Sequence, residues 1–134
     1  QKIMRSKIFD NATSCSSENS VIIHAAVYDR MLAALAKAGG VLLGSEEKTT
    51  LQAAMFPGGK LSPAVTAQSV KRICEVAGLT RPEVTASKCL MVEESGFGKS
   101  APFSGEKLSP VMAIYKARDF DHAFDILKAI YAYQ

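Results

Sequence analysis

Two periodicities share the chain. Short apolar runs of strand length occupy residues 20–24 (SVIIH), 41–43 (VLL), 88–93 (KCLMVE) and 111–115 (VMAIY). Between them apolar residues recur at helical spacing. Tyr28, Met31, Leu32, Leu35 and Ala36 make one such stripe, stopped by Gly39-Gly40. Val70, Ile73, Cys74 and Ala77 make a second, inside a helix expected over 64–77 with Gly78 as its stop. Phe120, Ala123, Phe124, Leu127, Ile130 and Tyr131 make a third, behind Asp119 as N-cap. Residues 46–55 are a further helical candidate, Phe56-Pro57-Gly58-Gly59 reads as a turn, and Pro82 falls in a connection. Ahead of the first strand, Ile3, Met4 and Ile8 alternate with Lys2, Arg5 and Lys7 in a short amphipathic piece. Strands alternating with helices predict an α/β domain: a mostly parallel sheet with helices on both faces, joined by right-handed crossovers.

Composition sets limits on that domain. With 134 residues, 48% hydrophobic and 22% charged, the chain suits one globular domain with a real core. A net charge of +3, carried by scattered basic residues, gives no stripe for nucleic acid. No apolar run reaches membrane-spanning length, and no signal-peptide pattern opens the chain. Three cysteines without paired spacing suit a reducing, cytoplasmic setting better than a disulfide framework, and the Asn11-Ala12-Thr13 sequon is then a chance match. No metal site is assigned. Gly98-Lys99-Ser100 looks like the end of a phosphate-binding loop, but the position that needs the first glycine is Glu93, and Pro102 blocks the helix that should follow.

Chemistry concentrates in residues 9–20, FDNATSCSSENS. Cys74 lies on an apolar helical stripe and Cys89 in an apolar strand run, where packing accounts for both. Cys15 differs, because Thr13, Ser14, Ser16 and Ser17 surround it with hydroxyls and backbone donors and with no apolar side chain. Reactivity requires a lowered thiol pKa, so spacing alone leaves a nucleophile and an idle exposed thiol equally open.

FDNATSCSSENSVII resembles the nucleophile segment of CoA-acylating aldehyde dehydrogenases, including the aldehyde half of bifunctional aldehyde-alcohol dehydrogenases. PFSGEKLSPV, residues 102–111, is similar to a later block of the same family, in the expected order. KAGGVLL and KRICEVAGLTRPEVTASKCLMVEES resemble its connecting elements, so the resemblance covers nearly the whole chain, with an acetaldehyde or sulfoacetaldehyde flavour. It implies that residues 1–134 are the nucleophile-bearing catalytic domain, that the NAD-binding domain is absent from this chain, and that the domain is inactive alone. Both ends look cut, in keeping with a domain excised from a longer enzyme.

The resemblance also implies roles. Cys15 would attack an aldehyde and carry the acyl group as a thioester, with NAD or NADP accepting hydride and coenzyme A accepting the acyl group. Glu106 would bind the nicotinamide-side ribose, where two carboxylate oxygens suit two adjacent hydroxyls; without the resemblance it reads as a solvated charge next to Lys107. Leu108 and Pro110 would shape the loop under the nicotinamide, and Phe103 would line the substrate end. Glu18 reads as structural, pairing or capping within its loop, and His24 and His122 as a strand-end and a helix-surface residue. The partners expected are a small aldehyde and coenzyme A, with no nucleic acid or membrane, in a homo-oligomeric parent. Two alternatives stand beside this: a hydrolytic aldehyde dehydrogenase, which the FDN and SENS flanks disfavour, and a non-catalytic assembly module in which Cys15 is incidental.

Overall fold

The apolar runs are strands in the computed structural model, which describes residues 1–12 and 18–132. They are β1 (Ser20–His24), β2 (Gly40–Leu42), β3 (Cys89–Glu93) and β4 (Val111–Ala117). All pair in parallel, in the order β1–β4–β3–β2, with Ser20 opposite Ala113, Leu90 opposite Val111 and Gly40 opposite Cys89. Because a strand's side chains alternate in direction, the unbroken apolar runs of β3 and β4 serve two cores at once. Leu90, Val92, Val111, Ala113 and Tyr115 point to one face, and Cys89, Met91, Met112 and Ile114 to the other.

Helices cover both faces. On the smaller core lie α1 (Lys2–Ile8) through Met4 and α2 (Tyr28–Lys37) through Tyr28 and Leu35. On the larger core lie α3 (Ser45–Met55), α4 (Val70–Ala77), the single turn α5 (Pro82–Thr85) and α6 (Phe120–Tyr131). The expected α/β architecture is met.

Three expectations need correction. The helix expected over 64–77 begins at Val70: Ala67 has φ +60°, outside the right-handed helical region, and the Ser69 hydroxyl then caps the true start by accepting the Arg72 N–H at 3.3 Å. Pro82 opens α5, a position where its missing N–H costs nothing, so it is not in a connection. The third apolar stripe is only partly inward: its Ala123 and Ile130 pack on the core together with Ile126, which the stripe omits, while Phe120 is 79% exposed and Phe124, Leu127 and Tyr131 also face outward. Asp119 does cap α6, its carboxylate accepting the His122 N–H at 2.8 Å, and Gly78 ends α4 at φ +76°.

Candidate active site

Since β1 and β4 are parallel neighbours, the residues leading into them, 18–19 and 103–110, arrive at the same edge of the sheet. Asn19 ties the two together. Its side-chain oxygen accepts the Lys107 N–H at 3.0 Å, and its carbonyl accepts the Ala113 N–H at 3.0 Å. A second tie runs through residue 67: Asn11 Nδ2 donates to the Ala67 carbonyl at 3.4 Å, and the Ala67 N–H donates to the Leu108 carbonyl at 2.8 Å. The nucleophile assigned to Cys15 falls in 13–17, outside the described residues. Its described flanks on both sides are thus fastened to the loop that carries Glu106.

Glu106 is exposed, and its carboxylate makes no hydrogen bond or ion pair with any described residue. It borders a cleft of about 300 Å³ that Lys99, Ser104 and Gly105 also line. An unengaged carboxylate at a cleft rim fits the two hydroxyls of a ribose. Leu108 is half-buried and takes φ +42°, and Pro110 is buried with its carbonyl accepting the Leu90 N–H at 2.9 Å. Just before the cysteine segment, Asp10, Asn11 and Ala12 take φ of +48°, +53° and +58°, left-handed backbone that costs an L-residue about 1–2 kcal/mol apiece. Ala12 is fully buried, so this turn is held by packing.

Sequence reasoning missed the two lysines here. Lys7, in the last turn of α1, and Lys107, next to Glu106, are both 0% exposed. Lys107 Nζ donates to the Phe103 carbonyl at 2.6 Å and the Gly105 carbonyl at 2.7 Å, stitching the loop to itself. Lys7 Nζ has no partner among the described residues. Burial holds the Lys107 amine down at about 7, helped by the like charge of Lys7 and opposed by Glu94, Cys89 and Glu106. Burial likewise brings Lys7 to about 8, against the opposing pull of Cys89 and Glu18. A signal for Lys7 was available, since Met4 and Lys7 lie three residues apart on one face of a helix whose Met4 is apolar and buried. No comparable signal exists for Lys107, which sits in a loop.

The other singled-out residues are placed as follows. Cys74 and Cys89 are free and buried, and burial pushes the Cys89 thiol up to about 12, which makes it inert. Phe103 is fully buried, packs edge-on against Phe56 at 5.4 Å, and borders neither the cleft beside Glu106 nor the one at the far end of the strands. Glu18 has one carboxylate oxygen buried without a partner among the described residues. Each histidine accepts a local backbone N–H at Nδ1, His24 from Ala26 and His122 from Arg118, both at 3.0 Å. A cleft of about 410 Å³ at the far end of the strands, lined by Glu94, Tyr115, Lys116, His122 and Asp125, contains none of the residues assigned to the chemistry.

A sulfoacetaldehyde dehydrogenase (acylating) from Cupriavidus necator is 54% identical over 132 residues, 98% of this chain and 27% of its own length. The chain belongs to the CoA-acylating aldehyde dehydrogenase family. The bifunctional aldehyde-alcohol dehydrogenase of Escherichia coli is 39% identical over 92% of this chain, which spans 14% of that protein. Among solved structures, an acetylating aldehyde dehydrogenase from Geobacillus thermoglucosidasius superposes with a TM-score of 0.92 at 31% identity, covering 97% of this chain and 28% of that one. No protein-family model matches. This member of the family therefore spans about a quarter of the length of its sulfoacetaldehyde dehydrogenase relative. Among its described residues no helix is long and apolar enough to cross a membrane.

Proposed function

We propose that this chain is the nucleophile-bearing part of a cytoplasmic, homo-oligomeric enzyme that oxidises a small aldehyde to its acyl-CoA, with Cys15 as the nucleophile. The observation that carries the reading is the Asn19–Lys107 hydrogen bond of 3.0 Å, which fastens the strand entrance four residues after Cys15 to the loop bearing Glu106. The family relationship supports the reaction class, and the sulfoacetaldehyde dehydrogenase relative at 54% identity favours a short, anionic aldehyde.

Cys15 adds as thiolate to the aldehyde carbon, giving a thiohemiacetal; departure of hydride from that carbon leaves a thioester on Sγ, and acyl transfer to a second thiol regenerates the thiolate. A nicotinamide nucleotide supplies the hydride acceptor when bound, and coenzyme A supplies the second thiol. Glu106 offers its carboxylate to the ribose diol, and Leu108 and Pro110 fix the backbone on either side of Ser109. Exchange between two thiols is close to energy-neutral, so the overall reaction runs in both directions.

The test is steady-state activity of the full-length protein that carries this segment, on a panel of aldehydes including a sulfonated one, with and without coenzyme A. CoA-dependent NADH formation that Cys15→Ala abolishes and Glu106→Gln weakens through KM for the nucleotide supports the reading. CoA-independent formation of free acid would point to the hydrolytic branch, and full activity of Cys15→Ala would end the proposal.

A further inference from the structure

Neighbouring parallel strands that send the chain to opposite faces of a sheet leave a crevice beyond their carboxyl ends, the usual place for a small ligand in an α/β protein. Strands β1 and β4 meet that description. They are adjacent, and the helix after β1, α2, packs on the smaller core while the helix after β4, α6, packs on the larger. The cleft of about 410 Å³ lies beside this parting, between the ends of β3 and β4 and the flank of α6.

Its wall is braced. Glu94 accepts the N–H groups of Ser95 and Gly96 at 3.0 Å through Oε1 and pairs with Lys48 at 3.2 Å through Oε2. The Tyr115 hydroxyl donates to the Gly96 carbonyl at 2.9 Å, and Phe97 lies flat against the Tyr115 ring at 5.5 Å. These contacts fix the wall before any ligand arrives, which lowers the ordering cost of binding. Three polar side chains on the lining keep capacity for a partner. Asp125 makes no hydrogen bond or ion pair with any described residue. Lys116, among the described residues, meets only the face of Tyr28, 5.0 Å from its centroid. His122 accepts the Arg118 N–H at Nδ1, so the neutral ring carries its proton on Nε2 as a donor. Along α6 the lining then passes from His122 and Asp125 to Ile126 and Ala129, so one helix face turns from polar to apolar within the cleft.

We propose that this cleft binds a free α-amino acid with an apolar side chain: Lys116 and the His122 Nε2–H take its carboxylate, Asp125 takes its ammonium, and Phe97, Tyr115 and Ile126 receive its side chain. The balance of charge selects the class. A zwitterion meets one uncommitted partner of each sign, whereas a nucleotide would bring a phosphate of higher charge to a single lysine with the Asp125 carboxylate beside it. The site stands at the other end of the strands from Glu106 and does not rest on the reading of Cys15.

The experiment titrates L-phenylalanine and L-leucine into the full-length protein by calorimetry, with NAD and coenzyme A saturating so that the cofactor cleft is filled. Saturable binding of at least one, with Kd below about 1 mM, is expected. For phenylalanine, 3-phenylpropionate lacks the ammonium and phenethylamine lacks the carboxylate, and each should bind about tenfold more weakly. Lys116→Met and Asp125→Asn change exposed side chains and keep the fold; each should weaken the amino acid about tenfold and leave aldehyde turnover at the wild-type rate. Glu106→Gln should leave amino-acid binding unchanged. Absence of binding by both amino acids overturns the proposal, as does binding that either cleft variant leaves unchanged or a single-charge analogue that binds as tightly as phenylalanine. Weakening by Glu106→Gln would move the amino acid to the cofactor cleft and overturn it too. AMP binding that both cleft variants weaken, with neither amino acid bound, would assign the cleft to a nucleotide and overturn the amino-acid reading.

Discussion

The two buried lysines set the pH behaviour of the domain, and the sign follows from where each titrates. A lysine in the unfolded chain holds its proton up to about 10.4, whereas Lys107 releases it in the fold near 7 and Lys7 near 8. Between those values and 10.4 the unfolded state binds more protons than the native one, so stability rises with pH across that window. Cys89 works the other way from about 8.5 to about 12, because burial keeps its proton on in the fold after the unfolded chain has lost it. Stability is therefore expected to climb from pH 6.5 to about pH 8.5 and more slowly beyond, where Cys89 offsets one of the two amines. Urea midpoints at pH 6.5, 7.5 and 8.5 check this, and Lys107→Met should flatten the climb. A midpoint that falls over that range would mean that the amines are paired with anions and charged throughout. None of this is written in composition, where a lysine next to a glutamate looks like two solvated charges. Lys7 betrayed itself only by sharing a helical face with Met4.

At the level of elements, the helices were legible where caps and stops agree with the apolar stripe, and misjudged where only the stripe was followed. In α4 the stripe of Val70, Ile73 and Cys74 is inward, but Ser69 and the positive φ of Ala67, invisible in apolar spacing, decide where the helix starts. In α6 apolar residues lie on two sides, and β-branched Ile126 and Ile130, not the larger Phe120 and Phe124, take the core. Asp119→Ala should remove the α6 cap and cost about 1 kcal/mol. Gly78→Ala should cost a similar 1 kcal/mol through the left-handed backbone alone, since an added Cβ there meets nothing within 4 Å. Thermal or urea unfolding checks both, and a neutral Gly78→Ala would mean that the α4 end relaxes. The tie between loops makes a functional prediction. Asn19→Ala strips the acceptor from the Lys107 N–H, and leaving a part-buried donor unpaired costs about 1–3 kcal/mol. Because that bond holds the loop carrying Glu106, KM for the nicotinamide nucleotide should rise several-fold more than kcat falls. Equal losses in both, or none, would detach Asn19 from cofactor binding.

Over the whole molecule the unusual feature is which end of the sheet carries the assigned residues. In open parallel sheets ligands ordinarily sit beyond the carboxyl ends of the strands. Here Asn19, four positions after Cys15 in the sequence, and the loop bearing Glu106 both lead into strands, β1 and β4, and so gather at the amino edge. The strand and helix pattern gave the α/β layering, but nothing in it reveals strand order. Only the adjacency of β1 and β4 brings together two segments some ninety positions apart. A site on that edge is open, with one carboxylate facing a cleft of about 300 Å³ and no dinucleotide-binding fingerprint anywhere in the sequence. One hydrogen-bonding carboxylate contributes about 1–3 kcal/mol, far short of the 8 kcal/mol or so that micromolar binding requires. The 134-residue chain on its own should therefore show no saturable NAD binding by calorimetry at concentrations that saturate the full-length protein, and no turnover of aldehyde, NAD and coenzyme A. Its Cys15 should nevertheless still alkylate ahead of Cys74 and Cys89, because those two are buried in the cores and burial pushes both of their thiols up. Turnover by the isolated chain would mean that this edge is a complete active site; loss of the selective alkylation would mean that the thiolate needs the rest of the enzyme.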